Sequence, residues 1–132
     1  MTILGDNRLI RSAIYEYDFA VDGGAAGTIV LRGTDVPLGS TLIDSLLDVI
    51  VPLTGGTVTD TVSLGYDSAV DVQAAAARNA APWSTVGPRR GSLSGASAVA
   101  RNAAQRRARL TINGTGLTAG RLRLLVWYVE QF

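Results

Sequence analysis

Paired carboxylates are the first place to look for chemistry, because this 132-residue chain contains no histidine, no cysteine and no lysine. That composition removes the imidazole base, the thiol nucleophile, the Schiff-base amine and the cysteine and histidine metal ligands. Asp44 and Asp48 are the best-spaced pair. On a strand they point to the same side, yet four residues at about 3.3 Å each put them roughly 13 Å apart. Glycoside hydrolysis uses separations of about 5 to 9.5 Å. Glu16 and Asp18 stand closer but share what reads as an exposed face, with no neighbouring imidazole or amine to tune them. Asp60, Asp67 and Asp71 could offer oxygens to a cation, but nothing near them has the spacing of a calcium loop. Gly114, Gly116 and Gly120 give GxGxxxG followed by a strand, so no helix N-terminus is present to hold a pyrophosphate. Asn113-Gly114-Thr115 fits a glycosylation site and reads more simply as a turn. These readings predict a protein that is not an enzyme, with no catalytic residue, no metal, no cofactor and no small-molecule substrate.

Charge is sorted along the chain. Residues 1–75 hold ten of the eleven acids against three arginines, and residues 76–132 hold nine arginines against Glu130 alone. The near-neutral total of +1 therefore hides two opposed halves. These must either meet inside one subunit or mate between neighbouring subunits. All twelve basic residues are arginine, which fits a packing advantage and equally a GC-rich genome. The run Gln105-Arg106-Arg107-Ala108-Arg109, with Arg89, Arg90 and Arg101, is the best candidate for binding phosphates, but no aromatic residue interleaves with it to stack bases. The expectation is therefore no nucleic acid, with the acidic half of one copy facing the basic half of the next. No window of 18 residues lacks a charge or a turn former, so no membrane span is expected. The first residues lack the basic-then-apolar order of a secretory signal.

The elements that would position these groups follow from periodicity. Residues 1–12 have no clear period and read as an extended N-terminal arm, with 13–132 as a single domain. Ala13, Tyr15, Tyr17, Phe19 and Val21 alternate with Ile14, Glu16, Asp18, Ala20 and Asp22, the signature of a strand with one buried face. Thr28–Arg32 reads as the next strand. Thr41–Val51 and 57–64 flank Gly55-Gly56 and are predicted to pair as a hairpin. Ser68 and Asp71 have capping-box spacing, and Ala69–Ala77 is rich in helix formers, which predicts one short helix at about 68–78. Residues 79–97 form a long turn-rich stretch with a short strand near Trp83–Val86. Arg107, Arg109 and Thr111 alternate with Ala108, Leu110 and Ile112. In the last strand Leu122, Leu124, Val126 and Tyr128 share one face while Arg123, Leu125, Trp127 and Val129 share the other. Of the two tryptophans, one is expected in the core and one as an interface anchor. Short strands, many turns and one helix add up to an all-β antiparallel sandwich, jelly-roll-like.

The stretch Tyr15–Gly33, then Val36-Pro37-Leu38-Gly39, Ile43–Val51, Thr54-Gly55-Gly56, Val62-Ser63-Leu64-Gly65 and Leu117–Tyr128, resembles small head proteins of tailed bacteriophages. The resemblance implies a homo-oligomer, a trimer being favoured, that decorates or cements a capsid on the virion surface, with the major capsid protein as partner and synthesis in the host bacterial cytoplasm. It carries over no catalytic residue. The predicted contact residues are Arg107, Arg109, Arg123, Leu125, Trp127, Val129, Asp44 and Asp48. A receptor- or carbohydrate-binding fibre or tail module is the alternative, with Trp83, Tyr66 and the 79–97 loop forming its contact.

Overall fold

Apolar and polar residues alternate along most of the chain, and this alternation sets which side of each strand meets the core. The structure, a computed structural model, describes residues 10–66, 70, 72–91, 93 and 106–130. In chain order it contains β1 (Ile10–Asp18), α1 (Phe19–Asp22), β2 (Gly27–Val30), β3 (Arg32–Gly33), β4 (Thr41–Gly55), β5 (Thr61–Gly65), β6 (Gln73–Ala77), β7 (Gly87–Arg90), β8 (Arg109–Asn113) and β9 (Leu117–Val129). They form two antiparallel sheets, one in the order β3-β1-β9-β4-β7 and the other in the order β2-β8-β5-β6. This is the all-β sandwich that the turn-rich strand pattern predicts.

The core lies between the sheets. Ala13, Tyr15 and Tyr17 of β1, Leu47 and Val49 of β4, and Leu122, Leu124 and Val126 of β9 are fully buried from the larger sheet. Val62, Leu64 and Leu110 close on them from the smaller one. The faces read from the period-2 patterns of β1, as far as Tyr17, and of β8 are the faces observed, while β9, whose two apolar faces suggested burial on both sides, buries Leu122, Leu124, Val126 and Tyr128 and leaves Leu125, Trp127 and Val129 half-buried. Tyr66 Oη donates to Tyr15 Oη at 2.8 Å, with the rings edge to face at 6.0 Å, so these hydroxyls satisfy each other. Burial pushes the Tyr15 phenol up to about 12 in spite of that bond.

Three expectations are corrected. The helix at about 68–78 is replaced by strand β6 at Gln73–Ala77, while residues 68, 69 and 71 lie outside the described residues. Val72 N–H donates to the Leu64 carbonyl at 3.0 Å and Arg78 N–H to the Asp60 carbonyl at 2.8 Å. These bonds satisfy β5 along its outer edge, and alanine's helix preference of a few tenths of a kcal/mol per residue does not outweigh a ladder. The single helical turn falls instead at Phe19–Asp22, ending β1 before Phe19 and leaving Val21 64% exposed. Its cap is Asp18, whose carboxylate accepts from Ala20 N–H.

The second correction concerns the hairpin: β4 and β5 belong to different sheets. Gly55-Gly56 marks the crossing point, and its glycines serve close approach. A Cβ on Gly55 would stand 2.6 Å from the Gly116 carbonyl oxygen, and one on Gly56 would overlap Thr115. The third concerns the strand near Trp83–Val86, which forms later, as β7. Trp83 sits in a turn at 0% exposure, and its carbonyl accepts from Leu53 N–H at 3.0 Å. β1 also begins at Ile10, taking in the end of the expected arm, and residues 1–9 lie outside the described residues.

Asp60 fastens one end of the sandwich. Its carboxylate accepts from Thr57 Oγ1 at 2.6 Å, Thr115 N–H at 3.1 Å and Thr115 Oγ1 at 2.7 Å, tying the β4–β5 crossing to the β8–β9 turn. Gly114 leaves room for it, since a Cβ there would overlap Asp60 Oδ1. The Thr57 and Thr115 hydrogen bonds hold the Asp60 carboxyl down at about 2, below its ordinary 3.8. A lowered pKa stabilises the fold above the ordinary value and loses that contribution as pH falls toward the native one. Acid titration followed by circular dichroism is therefore expected to show stability falling between about pH 4 and pH 2, with the loss in that window reduced in Asp60→Asn. In the core, Leu124→Ala is expected to cost about 2–5 kcal/mol in urea denaturation.

Candidate functional site

Because β9 sits in the middle of the larger sheet, its outward residues line up with outward residues of β1 and β4. Four of the predicted contact residues, Arg123, Leu125, Trp127 and Val129, alternate along this outer face, and Asp44 and Asp48 join them from β4. The cross-strand rows can be read from the register. Ile10 faces Val129, and Ser12 faces Trp127, which faces Asp44. Ile14 faces Leu125, which faces Leu46 and then Arg90. Arg32 faces Glu16, which faces Arg123, which faces Asp48.

The outer face is thus divided. One end is apolar, built from Ile10 (62% exposed), Ile14 (58% exposed), Leu46, Leu125, Trp127 and Val129. The other is a charged row of alternating sign. Like charges never face each other directly across these strands, and opposite-charge neighbours contribute a few tenths of a kcal/mol each to register. Ile10, Ile14 and Leu46 were missed by the sequence reading. Their signal was available: Ile14 is a large apolar residue on the same side as Glu16 and Asp18, and Leu46 lies between Asp44 and Asp48.

Arg107 and Arg109 are not part of this face. Arg107 Nε donates to Asp35 Oδ1 at 2.8 Å, and Arg109, opening β8 in the smaller sheet, donates to the Tyr66 carbonyl. The Arg106 guanidinium lies 5.4 Å from the centre of the Tyr66 ring. This arginine cluster therefore braces Tyr66 and the chain around Asp35.

The two oppositely charged halves meet in part inside the subunit, the first of the two arrangements that the sorted charges allow. Arg121 pairs with Glu16 at 2.9 Å, Arg107 with Asp35 at 2.8 Å and Arg90 with Asp44 at 3.5 Å, each joining a basic C-terminal residue to an acid of the first half. Arg11 pairs with Glu130 at 3.4 Å, and Arg32 with Asp22 at 2.9 Å. At Asp22 burial opposes ionisation, but the Arg32 guanidinium and the Asp18 N–H outweigh it and lower the pKa. On the outer face, Asp44 beside the apolar end and Glu16 in the charged row are thus each matched by an arginine.

Among the described residues no group of three or more acids, histidines or cysteines could hold a metal ion. Asp44 and Asp48 are held apart on β4 with Leu46 between them, and each faces a β9 side chain. No helix is long and apolar enough to cross a membrane among the residues described. The carbohydrate platform is corrected as well: Trp83 is 0% and Tyr66 2% exposed, so neither ring offers a face for stacking on a sugar.

Chains from phage capsid structures share this fold. A chain of the cyanophage Pam1 capsid asymmetric unit superposes with a TM-score of 0.69 at 16% identity, covering 98% of this chain and 92% of that one. A chain of the Ralstonia phage GP4 capsid gives 0.63 at 20% identity, covering 100% and 92%. A chain of the acidic stable capsid of Helicobacter pylori bacteriophage KHP30 gives 0.63 at 14% identity, covering 94% and 90%. No family model and no curated protein matches the sequence. Coverage is nearly complete in both directions, so the likeness extends to the whole sandwich.

The ion pairs of the outer face are partly solvated, which limits their worth. Arg121→Ala is expected to lower stability by less than about 1 kcal/mol, and by less still in high salt, as measured by urea denaturation at two ionic strengths.

Proposed function

We propose that this chain is a structural component of a bacteriophage head, decorating or cementing the shell through repeated contacts with copies of itself and with the major capsid protein. The observation that carries the reading is the whole-length fold likeness to chains of three phage capsids. The outer face of the larger sheet supplies a physical means. Its apolar end, with Trp127 between Ser12 and Asp44, is the kind of surface that gains by excluding water, at about 25 cal/mol per Å² buried. Arg90 and Asp44 beside it are already paired, so an approaching neighbour meets little like-charge repulsion there.

In this reading the protein works by position, with a homotrimer as the attaching unit and the capsid surface as its location. Individually weak contacts gain strength by repetition, since each subunit held raises the effective concentration of the next contact. Neither an enzyme active site nor a cofactor is needed for that role.

Two measurements test it. Quantitative mass spectrometry of purified particles made by the encoding genome is expected to find the chain at a stoichiometry comparable with that of the shell protein. Its absence from the particles overturns the reading. Trp127→Arg places a charge in the apolar end of the face, opposite Asp44, and is expected to weaken oligomer or particle binding by at least about tenfold, read by light scattering and co-sedimentation, with little change in the thermal midpoint.

A further inference from the structure

We propose that β2 is a docking edge, and that a second copy of this chain pairs with it antiparallel, strand to strand, to join the smaller sheets of two subunits.

Among the described residues the two sheets end in four edge strands, and three of them carry features that discourage pairing. β3 is two residues long and bears Arg32 in an ion pair. β7 contains Pro88 between Gly87 and Arg89-Arg90. β6 is irregular, with a register shift against β5 between Val62 and Leu64. Short length, proline, charge and bulges are the ordinary means by which a sheet edge is closed to other chains. β2 has none of them. Gly27-Thr28-Ile29-Val30 is uncharged, ends in β-branched residues and pairs with β8 without a register shift.

Its backbone directions follow from one hydrogen bond. Leu31 N–H donates to the Ala108 carbonyl at 2.9 Å, continuing the register in which Val30 faces Arg109 and Ile29 faces Leu110. Alternate residues of an antiparallel strand turn their backbone groups to opposite sides. Gly27 and Ile29 therefore bond to β8, and the N–H and C=O of Thr28 and Val30 point away from the sheet. Val30 is 56% exposed as well, a large apolar side chain at the rim beside those groups.

A second β2 satisfies this edge without any other element. In an antiparallel pair centred on Ile29, Thr28 faces Val30 of the partner and Val30 faces Thr28, so about four backbone hydrogen bonds form across a two-fold axis. The cross-strand Thr–Val contacts suit β-branched side chains. Because the segment is uncharged, its own copy brings no like charge to the seam. The Arg109 residues of the two copies stand three strand spacings apart, about 14 Å, beyond the range of strong interaction at physiological salt. The contact is small for a stable dimer, so it is weak in isolation and gains from repetition.

Disulfide trapping tests the register directly, since the chain has no cysteine of its own. Thr28→Cys and Val30→Cys replace two exposed residues, and in the proposed pairing each lies about 5.5 Å, Cα to Cα, from the other in the partner chain. A mixture of the two variants is expected to yield a disulfide-linked heterodimer under mild oxidation, while each alone stays monomeric or links at least tenfold more slowly. Equal linking in all three samples, or none in any, overturns the proposal. Val30→Lys provides a second reading: made in a Trp127→Arg background, which weakens the outer-face contact, it is expected to keep that background's thermal midpoint and to abolish its remaining association at high concentration by light scattering, and undiminished association overturns the proposal. These measurements use the isolated chain, whereas the shell reading is tested on particles, so either can fail without the other.

Discussion

β9 is the strand on which the rest of this molecule depends, because it is hydrogen-bonded on both sides over most of its length. β1 runs along one edge from Asp18 opposite Arg121 to Ile10 opposite Val129, and β4 along the other from Thr41 to Gly55. Its inner residues Leu122, Leu124 and Val126 are fully buried and form the floor of the core. Its outer residues set the character of the exposed face. A basic strand held between two acidic ones also explains the sorted charges: acids collect in the first half and arginines in the second because these segments become neighbours in the sheet. Arg121 against Glu16, and Arg123 between Glu16 and Asp48, are the local expression of that arrangement.

Much of this was legible wherever pattern and burial are local properties. Alternation in Ala13–Tyr17 and Ala108–Ile112 gave the correct buried faces, and one tryptophan, Trp83, is in the core as expected, while Trp127 is half-buried on the outer face. What the sequence concealed were choices between partners. Gln73–Ala77 has helical composition, yet forms a strand because β5 requires a neighbour along its free edge. Gly55-Gly56 has the look of a hairpin turn, yet its local signal carries no information about the 115–116 turn that packs against it. The charges were read correctly as complementary, but whether complementarity is met within a chain or between chains depends on strand order, which alternation does not encode. Of the candidate contact residues, those on β9 and β4 come together for the same reason that β9 pairs with β4, whereas Arg107 and Arg109 are engaged elsewhere by Asp35 and Tyr66.

Side chains that would be candidates for acid–base work are occupied in holding geometry: Asp60 fastens two turns, Asp22 and Glu16 hold arginines, and Asp18 caps α1. Stability and surface are thereby separated. The core is closed by apolar packing between the sheets, and the outer face of the larger sheet is left divided into an apolar end and a neutralised charged row.

The pairing of β1 with β9 also determines when the molecule can form. Glu16 and Arg121 are 105 residues apart, and the larger sheet has no centre until the last strand is present. Closing so long a loop makes folding slow relative to proteins built from local contacts. A nascent chain that has not yet reached β9 holds β1 and β4 with nothing between them, so the outer face of the larger sheet arises only once β9 is made. A chain cut short before β9 lacks both the floor of the core and the outer face at once, so an incomplete product cannot display the finished surface.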